Sequence, residues 1–114
     1  MHPHLHDGDF VFCTVRQMLE EALMCFRETE GITVILEKHR ADQLGLQYTY
    51  VSAWITLTVH SSLEAVGLTA AFSQALADAG ISCNVVAAFY HDHIFVARPD
   101  AEKAMDVLNA MRRF

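Results

Sequence analysis

The sequence predicts an α+β fold in which the order strand, helix, strand, strand, helix occurs twice along 114 residues. Apolar and polar side chains alternate over residues 51–59, the period of a strand with one buried face. Apolar residues then recur every three or four positions, the period of an amphipathic helix. Residues 81–111 continue with two more strand patterns and a helix pattern. Such repeated β-α-β-β-α units build a ferredoxin-like arrangement of antiparallel sheets with helices on one face.

The best-defined local prediction is the junction between the long strand and the following helix. Ser61 stands three residues before Glu64, the spacing of a capping box, so we expect a helix to begin here and Gly80 to end it. We expect one strand face to lie in the core and the other to be half-exposed. The core face comprises Val51, Ala53, Ile55, Leu57 and Val59, and the opposite face Tyr50, Ser52, Trp54, Thr56, Thr58 and His60.

The first half of the chain is less regular. Residues 1–8 are predicted to be a loosely packed lead-in, and Phe10–Val15 a strand with two apolar faces. Residues 16–30 are ambiguous, and we favour a short helix followed by two strands. A short helix from His39 should end near Gly45. We therefore divide the chain into an N-terminal unit, residues 1–48, and a C-terminal unit, residues 49–114.

The second half repeats the order more clearly. Residues 81–90 alternate and predict a strand, and His91, Asp92 and His93 predict a polar turn. Residues 94–97 predict a return strand. Pro99 then occupies the first turn of a last helix, where its missing N–H has no intrahelical role.

Composition limits the classes of partner. The net charge of −6 disfavours nucleic acid. No segment has the roughly 20 apolar residues of a membrane span, and the first residues lack the pattern of a signal peptide. The three cysteines are widely spaced among apolar neighbours, which suits reduced thiols in a cytoplasmic protein.

Four stretches resemble a family of small bacterial proteins built from ACT domains. They are GDFVFCTV (residues 8–15), ITLTVHSSLEAVGLTAA (55–71), GISCNVVA (80–87) and YHDHIFV (90–96). The match over residues 16–50 is loose. The resemblance implies two tandem ACT-like units, related to the regulatory domains of aspartate kinases, and a homodimer.

The resemblance also implies an amino-acid site where the strand-helix loop faces the next strand. The implied ligand-binding residues are Ser61, Ser62, Leu63, Glu64, Val66, Gly67, Leu68, Ile81, Ser82, Asn84 and Val85. Independently, a helix N-terminus offers unpaired N–H groups to a carboxylate, and Asn84 can both donate and accept. The alternative is that Ser61 and Glu64 only cap a helix and that Asn84 only satisfies a turn or sheet edge.

Other chemistry is less well supported by the pattern. His2, His4 and His6 alternate at the N-terminus and His91 and His93 flank Asp92, but hydrogen bonds in a turn explain the latter pair as readily as a metal does. No spacing typical of catalysis is present. We therefore expect no metal, no cofactor and no enzymatic activity. Trp54, Thr56 and Thr58 are expected either in an ordinary core or against another half or subunit.

Two functions remain open at this point. The first is a non-catalytic regulatory or sensor module that binds an amino acid or similar zwitterion. The second is a structural or protein-interaction module that assembles through its sheets and binds no small ligand. A thermal-shift screen against amino acids separates them, because a ligand selective for the native state raises stability.

Overall fold

The computed structural model describes residues 1–58 and 66–111. The first half of the chain contains mostly strands, and the second half contains both strands and helices. In chain order they are β1 (His2–Leu5), β2 (Phe10–Val15), β3 (Met24–Arg27), β4 (Ile32–Glu37), α1 (Lys38–Gln43), β5 (Val51–Thr58), α2 (Leu68–Asp78), β6 (Asn84–Ala87), β7 (Asp92–Ala97), a 3₁₀ turn (Arg98–Asp100) and α3 (Ala101–Asn109).

The chain forms two compact units. One consists of Gly8–Ser52 and is here called the inserted unit. The other combines Met1–Asp7 with the described residues of Ala53–Phe114 and is called the discontinuous unit. The sequence-based division at residue 48 remains a prediction, although the first strand is found with the C-terminal elements.

The discontinuous unit has the strand order β1, β5, β7, β6. β1 pairs antiparallel with β5, and β6 pairs antiparallel with β7. α2 packs against α3, and α3 packs against β1 and β7, so both helices cover the same sheet face. The core is the alternate face of the strands together with the apolar helix faces: Ala53, Ile55, Leu57, Ile94, Val96, Leu68, Phe72, Leu76, Ala101, Ala104 and Leu108. The predicted period-two and period-3.6 patterns are confirmed for these core residues, whereas Val59 and His60 lie outside the described residues. On the strand face expected to be half-exposed, Ser52 and Thr56 are buried.

The inserted unit is built on a three-stranded antiparallel sheet. β4 lies between β2 and β3 and pairs with both. The first two residues of β5, Val51 and Ser52, pair with the start of β2, and the buried Ser52 hydroxyl donates to the Phe10 carbonyl at 2.8 Å. Its core contains Val11, Cys13, Val34, Leu36 and Ala41. α1 ends before Gly45, whose φ of 70° fits the predicted helix stop.

The first half departs from the sequence prediction in two places. The expected loose lead-in contains a strand, because His2–Leu5 pairs in register with Thr58 to Ile55. The helix favoured within residues 16–30 is absent, since residues 16–23 form turns and β3 follows. The Leu23 N–H donates to the Ile35 carbonyl at 2.7 Å, so sheet pairing has replaced an intrahelical bond. The two predicted strands are present.

The second half departs in detail. The turn expected at residues 91–93 lies at 88–91, where the Ala88 N–H donates to the His91 carbonyl at 3.0 Å. His93 is therefore a strand residue, paired with Val86. α2 begins at Leu68, later than predicted, and the capping box of Ser61 and Glu64 lies outside the described residues. The described helices include none long and apolar enough to span a membrane.

These elements confirm the predicted class. The chain is α+β with antiparallel pairing, and the discontinuous unit places its helices on one face of its sheet. The inserted unit lacks the first helix of the β-α-β-β-α order among its residues, all of which are described.

Candidate functional site

The N-terminus of α2 is the structural centre of the predicted amino-acid site. Gly67 is the N-cap residue with φ of 100°, and it has no side chain to occupy the first-turn donors. The first intrahelical bond runs from the Ala71 N–H to the Gly67 carbonyl at 2.9 Å. The N–H groups of Leu68, Thr69 and Ala70 therefore have no intrahelical acceptor. The first turn of α2 carries no acidic residue, so no carboxylate of the helix's own first turn offsets the positive end of the dipole.

The other predicted site segment is the stretch that leads into β6, and it follows the C-terminal end of α2. Ile81 is buried, and its N–H donates to the Leu76 carbonyl at 2.9 Å. Asn84 is the first residue of β6 and is exposed. Its Nδ2 donates to the Phe95 carbonyl at 3.3 Å, which fixes the amide orientation. The Oδ1 atom of Asn84 is the remaining acceptor and can receive a ligand N–H.

Both segments are anchored in the same core. Leu68, at the start of α2, and Ile81, before β6, belong to one hydrophobic cluster. Their side chains are buried, so each can offer a ligand only backbone atoms. Val66, Gly67, Ser82, Asn84 and Val85 are exposed. The predicted site residues Ser61, Ser62, Leu63 and Glu64 lie outside the described residues.

Gly67 is required for its backbone conformation rather than for close packing. Among the described residues, nothing lies within 4 Å of a Cβ atom built at this position, whereas its φ of 100° is one that side-chain-bearing residues rarely adopt.

Sequence reasoning missed a polar network on the opposite face of β5. The indole Nε1 of Trp54 donates to Nδ1 of His93 at 3.0 Å. Oγ1 of Thr56 lies 3.0 Å from the same Nδ1 and 2.7 Å from Nε2 of His6. The His6 ring stacks on the Trp54 ring with centroids 3.5 Å apart and planes at 11°. We call these four residues the histidine network.

The proton positions in the histidine network follow from which of its groups can donate and which can accept a hydrogen bond. An indole nitrogen only donates, so Nδ1 of His93 accepts and its ring proton is on Nε2. The Thr56 hydroxyl can then only donate to that Nδ1, and its oxygen accepts from Nε2–H of His6. Thus a chain of hydrogen bonds runs from β1 through β5 to β7, with His93 neutral.

The surroundings favour the neutral rings. Burial lowers the pKa of His93, nearby His91 lowers it further, and Asp92 opposes the shift. Burial is also the main cause that lowers the pKa of His6, followed by the charges of His4 and His93, with Asp7 opposing.

The sequence did carry one signal for this network. His2, His4 and His6 alternate with Pro3 and Leu5, which is the period of a strand with one apolar face. Leu5 packs against the core of the discontinuous unit, so the histidines point to the other side. Sequence spacing could not identify His93, which lies 87 positions after His6, as a member of the same network.

Metal and thiol chemistry gain no support from the geometry. Over residues 1–58 and 66–111, no group of three or more His, Cys, Asp or Glu side chains is arranged to hold a metal ion. All three cysteines are free. Burial raises the pKa of Cys13 and raises that of Cys83 to about 11, which makes both poor nucleophiles near neutral pH.

The inserted unit has open clefts that the sequence analysis did not predict. One cleft has a volume of about 630 Å³, and its lining includes two basic residues, Arg16 and Arg27, and two acidic residues, Glu28 and Glu30. Both signs of charge are therefore available to a polar ligand there. None of the predicted site residues lines it.

Comparison with solved structures supports the fold. A protein of unknown function from Vibrio cholerae, described as a possible transport protein, is 53% identical, with a TM-score of 0.88 over 93% of this chain and 85% of that one. A protein from Agrobacterium tumefaciens is 18% identical, with a TM-score of 0.76 over 94% and 85% of the two chains. The aspartokinase alpha and beta subunit structure is 12% identical, with a TM-score of 0.66 over 96% and 95%. The last two show the shared fold alone.

No curated protein matches the chain. Two family models do, both described as the ACT domain: one over residues 1–53 and the other over residues 50–110. The fold and these matches define a regulatory, ligand-binding class of module rather than a catalytic one. The chain belongs to the ACT-domain family, with two tandem domains.

Proposed function

We propose that this protein is a non-catalytic sensor that binds an amino acid or a similar small zwitterion at the N-terminus of α2. The observation that carries the proposal is the Gly67 N-cap, which leaves the first-turn N–H groups without a capping side chain of its own. A ligand carboxylate would accept hydrogen bonds from the N–H groups of Leu68, Thr69 and Ala70 and would benefit from the helix dipole.

The ligand ammonium needs an acceptor. The family resemblance implies Oδ1 of Asn84 for this role, and Nδ2 of the same amide donates to the Phe95 carbonyl at 3.3 Å. Ser82 and Val85 are exposed on the segment 81–85, and we include them with Val66 among the proposed ligand contacts. Leu68 and Ile81 are buried in the hydrophobic core and anchor the two segments that carry these contacts.

The proposal is tested by thermal shift against a panel of amino acids at pH 8, with a matched pair of variants. Thr69 is exposed in the first turn of α2. Thr69→Asp adds a carboxylate that suits the helix dipole but repels a ligand carboxylate, whereas Thr69→Asn adds a similar volume without charge. We expect at least one amino acid to raise Tm in the wild type and in Thr69→Asn, and to lose its effect in Thr69→Asp.

Two results would contradict the proposal. One is that no amino acid shifts Tm. The other is that Thr69→Asp keeps the full shift, which would place the ligand elsewhere. Because Thr69→Asp should itself stabilise the free helix by about 0.3–1 kcal/mol, loss of the ligand effect would not reflect a damaged fold.

A second function, assembly through a surface, is favoured by one observation. Phe89 and Tyr90, in the turn between β6 and β7, are 74% and 78% exposed and pack edge to face with centroids 4.9 Å apart. Exposed aromatic pairs are typical of interface anchors. Under this alternative no amino acid shifts Tm, and replacing Phe89 and Tyr90 with Ser converts a homodimer to a monomer in light scattering.

A further inference from the structure

The histidine network has one atom on which its other bonds depend, Nδ1 of His93. Its single lone pair is shared by two donors, the Trp54 indole N–H and the Thr56 hydroxyl, each 3.0 Å away. The neutral ring carries its proton on Nε2, so the next proton can be added only at Nδ1. A protonated Nδ1 would point an N–H at the Trp54 N–H and could no longer accept.

We propose that His93 is a pH-sensitive latch: protonation of its Nδ1 breaks the bonds from Trp54 and Thr56 and loosens the hold of β1 on β5. The link to β1 is direct. The Thr56 oxygen accepts from Nε2–H of His6 at 2.7 Å, and the His6 backbone N–H donates to the Trp54 carbonyl at 3.0 Å. A change at Trp54 and Thr56 therefore reaches both the side chain and the backbone of His6.

The charges around the latch reinforce this direction. His91, whose ring centroid lies 6.3 Å from that of His93, lowers the pKa of His93, and His4, whose ring centroid lies 4.5 Å from that of His6, lowers the pKa of His6. Nδ1 of His91 is buried and has no hydrogen-bond partner among residues 1–58 and 66–111. Asp7 and Asp92 are the opposing acids. α3, which packs against β1 and β7, carries Glu102, Lys103 and Asp106, but none of these is a cause of the pKa shift of either histidine.

The chain provides its own reporter for the latch. Trp54 is the single tryptophan, and it contacts both His6 and His93. Tryptophan fluorescence of the ligand-free protein, titrated from pH 8 to pH 5, should show one transition with its midpoint below the ordinary histidine value of 6.5. The same titration needs no amino acid, so its outcome is independent of the proposed sensor function.

A matched pair of variants assigns the transition. In His93→Asn the amide Oδ1 can replace Nδ1 as an acceptor but does not titrate, so the transition should disappear. His39→Asn makes the same change at an exposed histidine of α1 in the inserted unit and should keep it. An unchanged transition in His93→Asn, or no transition in the wild type, would overturn the proposal.

A measurement on the wild type covers the case in which His93→Asn fails to fold. Imidazole ¹⁵N shifts should show His93 protonated on Nε2 alone at pH 8 and on both nitrogens below the fluorescence midpoint. The protection factor of the His6 amide, its intrinsic exchange rate divided by its observed rate, should fall as the pH drops through the same range. A proton on Nδ1 of His93 at pH 8 would contradict the latch. So would a protection factor of the His6 amide that stays the same as the pH falls.

Discussion

Trp54 and His93 lie on neighbouring strands of the discontinuous unit and share a hydrogen bond of 3.0 Å from the indole Nε1 to the imidazole Nδ1. The bond is possible only with a neutral His93. It therefore couples the protonation of one side chain to the packing of a sheet face that carries Thr56 and His6.

Stability should fall in acid. The pKa values of His93 and His6 are lowered in the folded protein, so between the folded and unfolded values the unfolded chain binds more protons. Unfolding is then favoured as pH falls below about 6.5 and through the folded pKa values. We expect Tm at pH 5 to be lower than at pH 7.5. In His93→Asn the difference should be smaller, and an equal difference would show that other groups govern it.

Thr56 should matter more than its neighbour on the same strand face. The side chain of Thr56 is 8% exposed and bonds to two histidines, whereas Thr58 is exposed. Thr56→Val leaves Nε2–H of His6 without its acceptor, and we expect a loss of about 1–3 kcal/mol in the free energy of unfolding. Thr58→Val should change it by less than about 0.5 kcal/mol. Urea denaturation at pH 8 measures both, and equal effects would argue against the network.

The core of the discontinuous unit should depend on Phe72. Its ring is fully buried among residues of β5, β7, α2 and α3. Phe72→Ala removes this volume and should cost about 3–5 kcal/mol. Val66→Ala, at a side chain that is 96% exposed, is the matched control and should be close to neutral. A small loss in Phe72→Ala would mean that the helices repack.

Cys83 should react slowly with alkylating reagents. Its pKa is raised to about 11 by burial, so only about one molecule in a thousand carries the thiolate at pH 8. Iodoacetamide labelling followed by mass spectrometry should show slow modification of Cys83 in the native protein and rapid modification of all three cysteines in urea. Rapid native labelling of Cys83 would contradict the burial assigned to it.

The sequence predicted those parts of the fold that depend on local pattern. The alternation in β5 identified Ala53, Ile55 and Leu57 as core, and the spacing in α2 identified Phe72 and Leu76. Gly80, with φ of 75°, follows the end of α2 as expected. In each case the side-chain period and the buried face coincide.

The parts that were missed depend on distant partners. Leu19 and Ala22 have helical spacing, yet both pack against the core of the inserted unit from a turn, with the Ala22 N–H donating to the Leu19 carbonyl at 3.1 Å. β1 is only four residues long and is a strand because β5 pairs with it. Long-range pairing of this kind overrides weak local preference and leaves no periodic signal.

The candidate ligand site stays a prediction. Helix-end chemistry and the family resemblance indicate the loop at Gly67, the resemblance alone indicates Asn84, and the structure describes both residues as exposed. The burial of Leu68 and Ile81 could not be separated from ligand contact by pattern alone, because an apolar residue at a site edge and one in the core look alike in sequence.

The most direct test of the central claim is to map a bound ligand by ¹H–¹⁵N NMR at pH 8, using the amino acid that gives the largest thermal shift. The account predicts the largest amide shift changes at Leu68, Thr69 and Ala70, together with the side-chain amide of Asn84. Changes confined to the cleft of Arg16 and Arg27 in the inserted unit, or no saturable change at the α2 N-terminus, would contradict it.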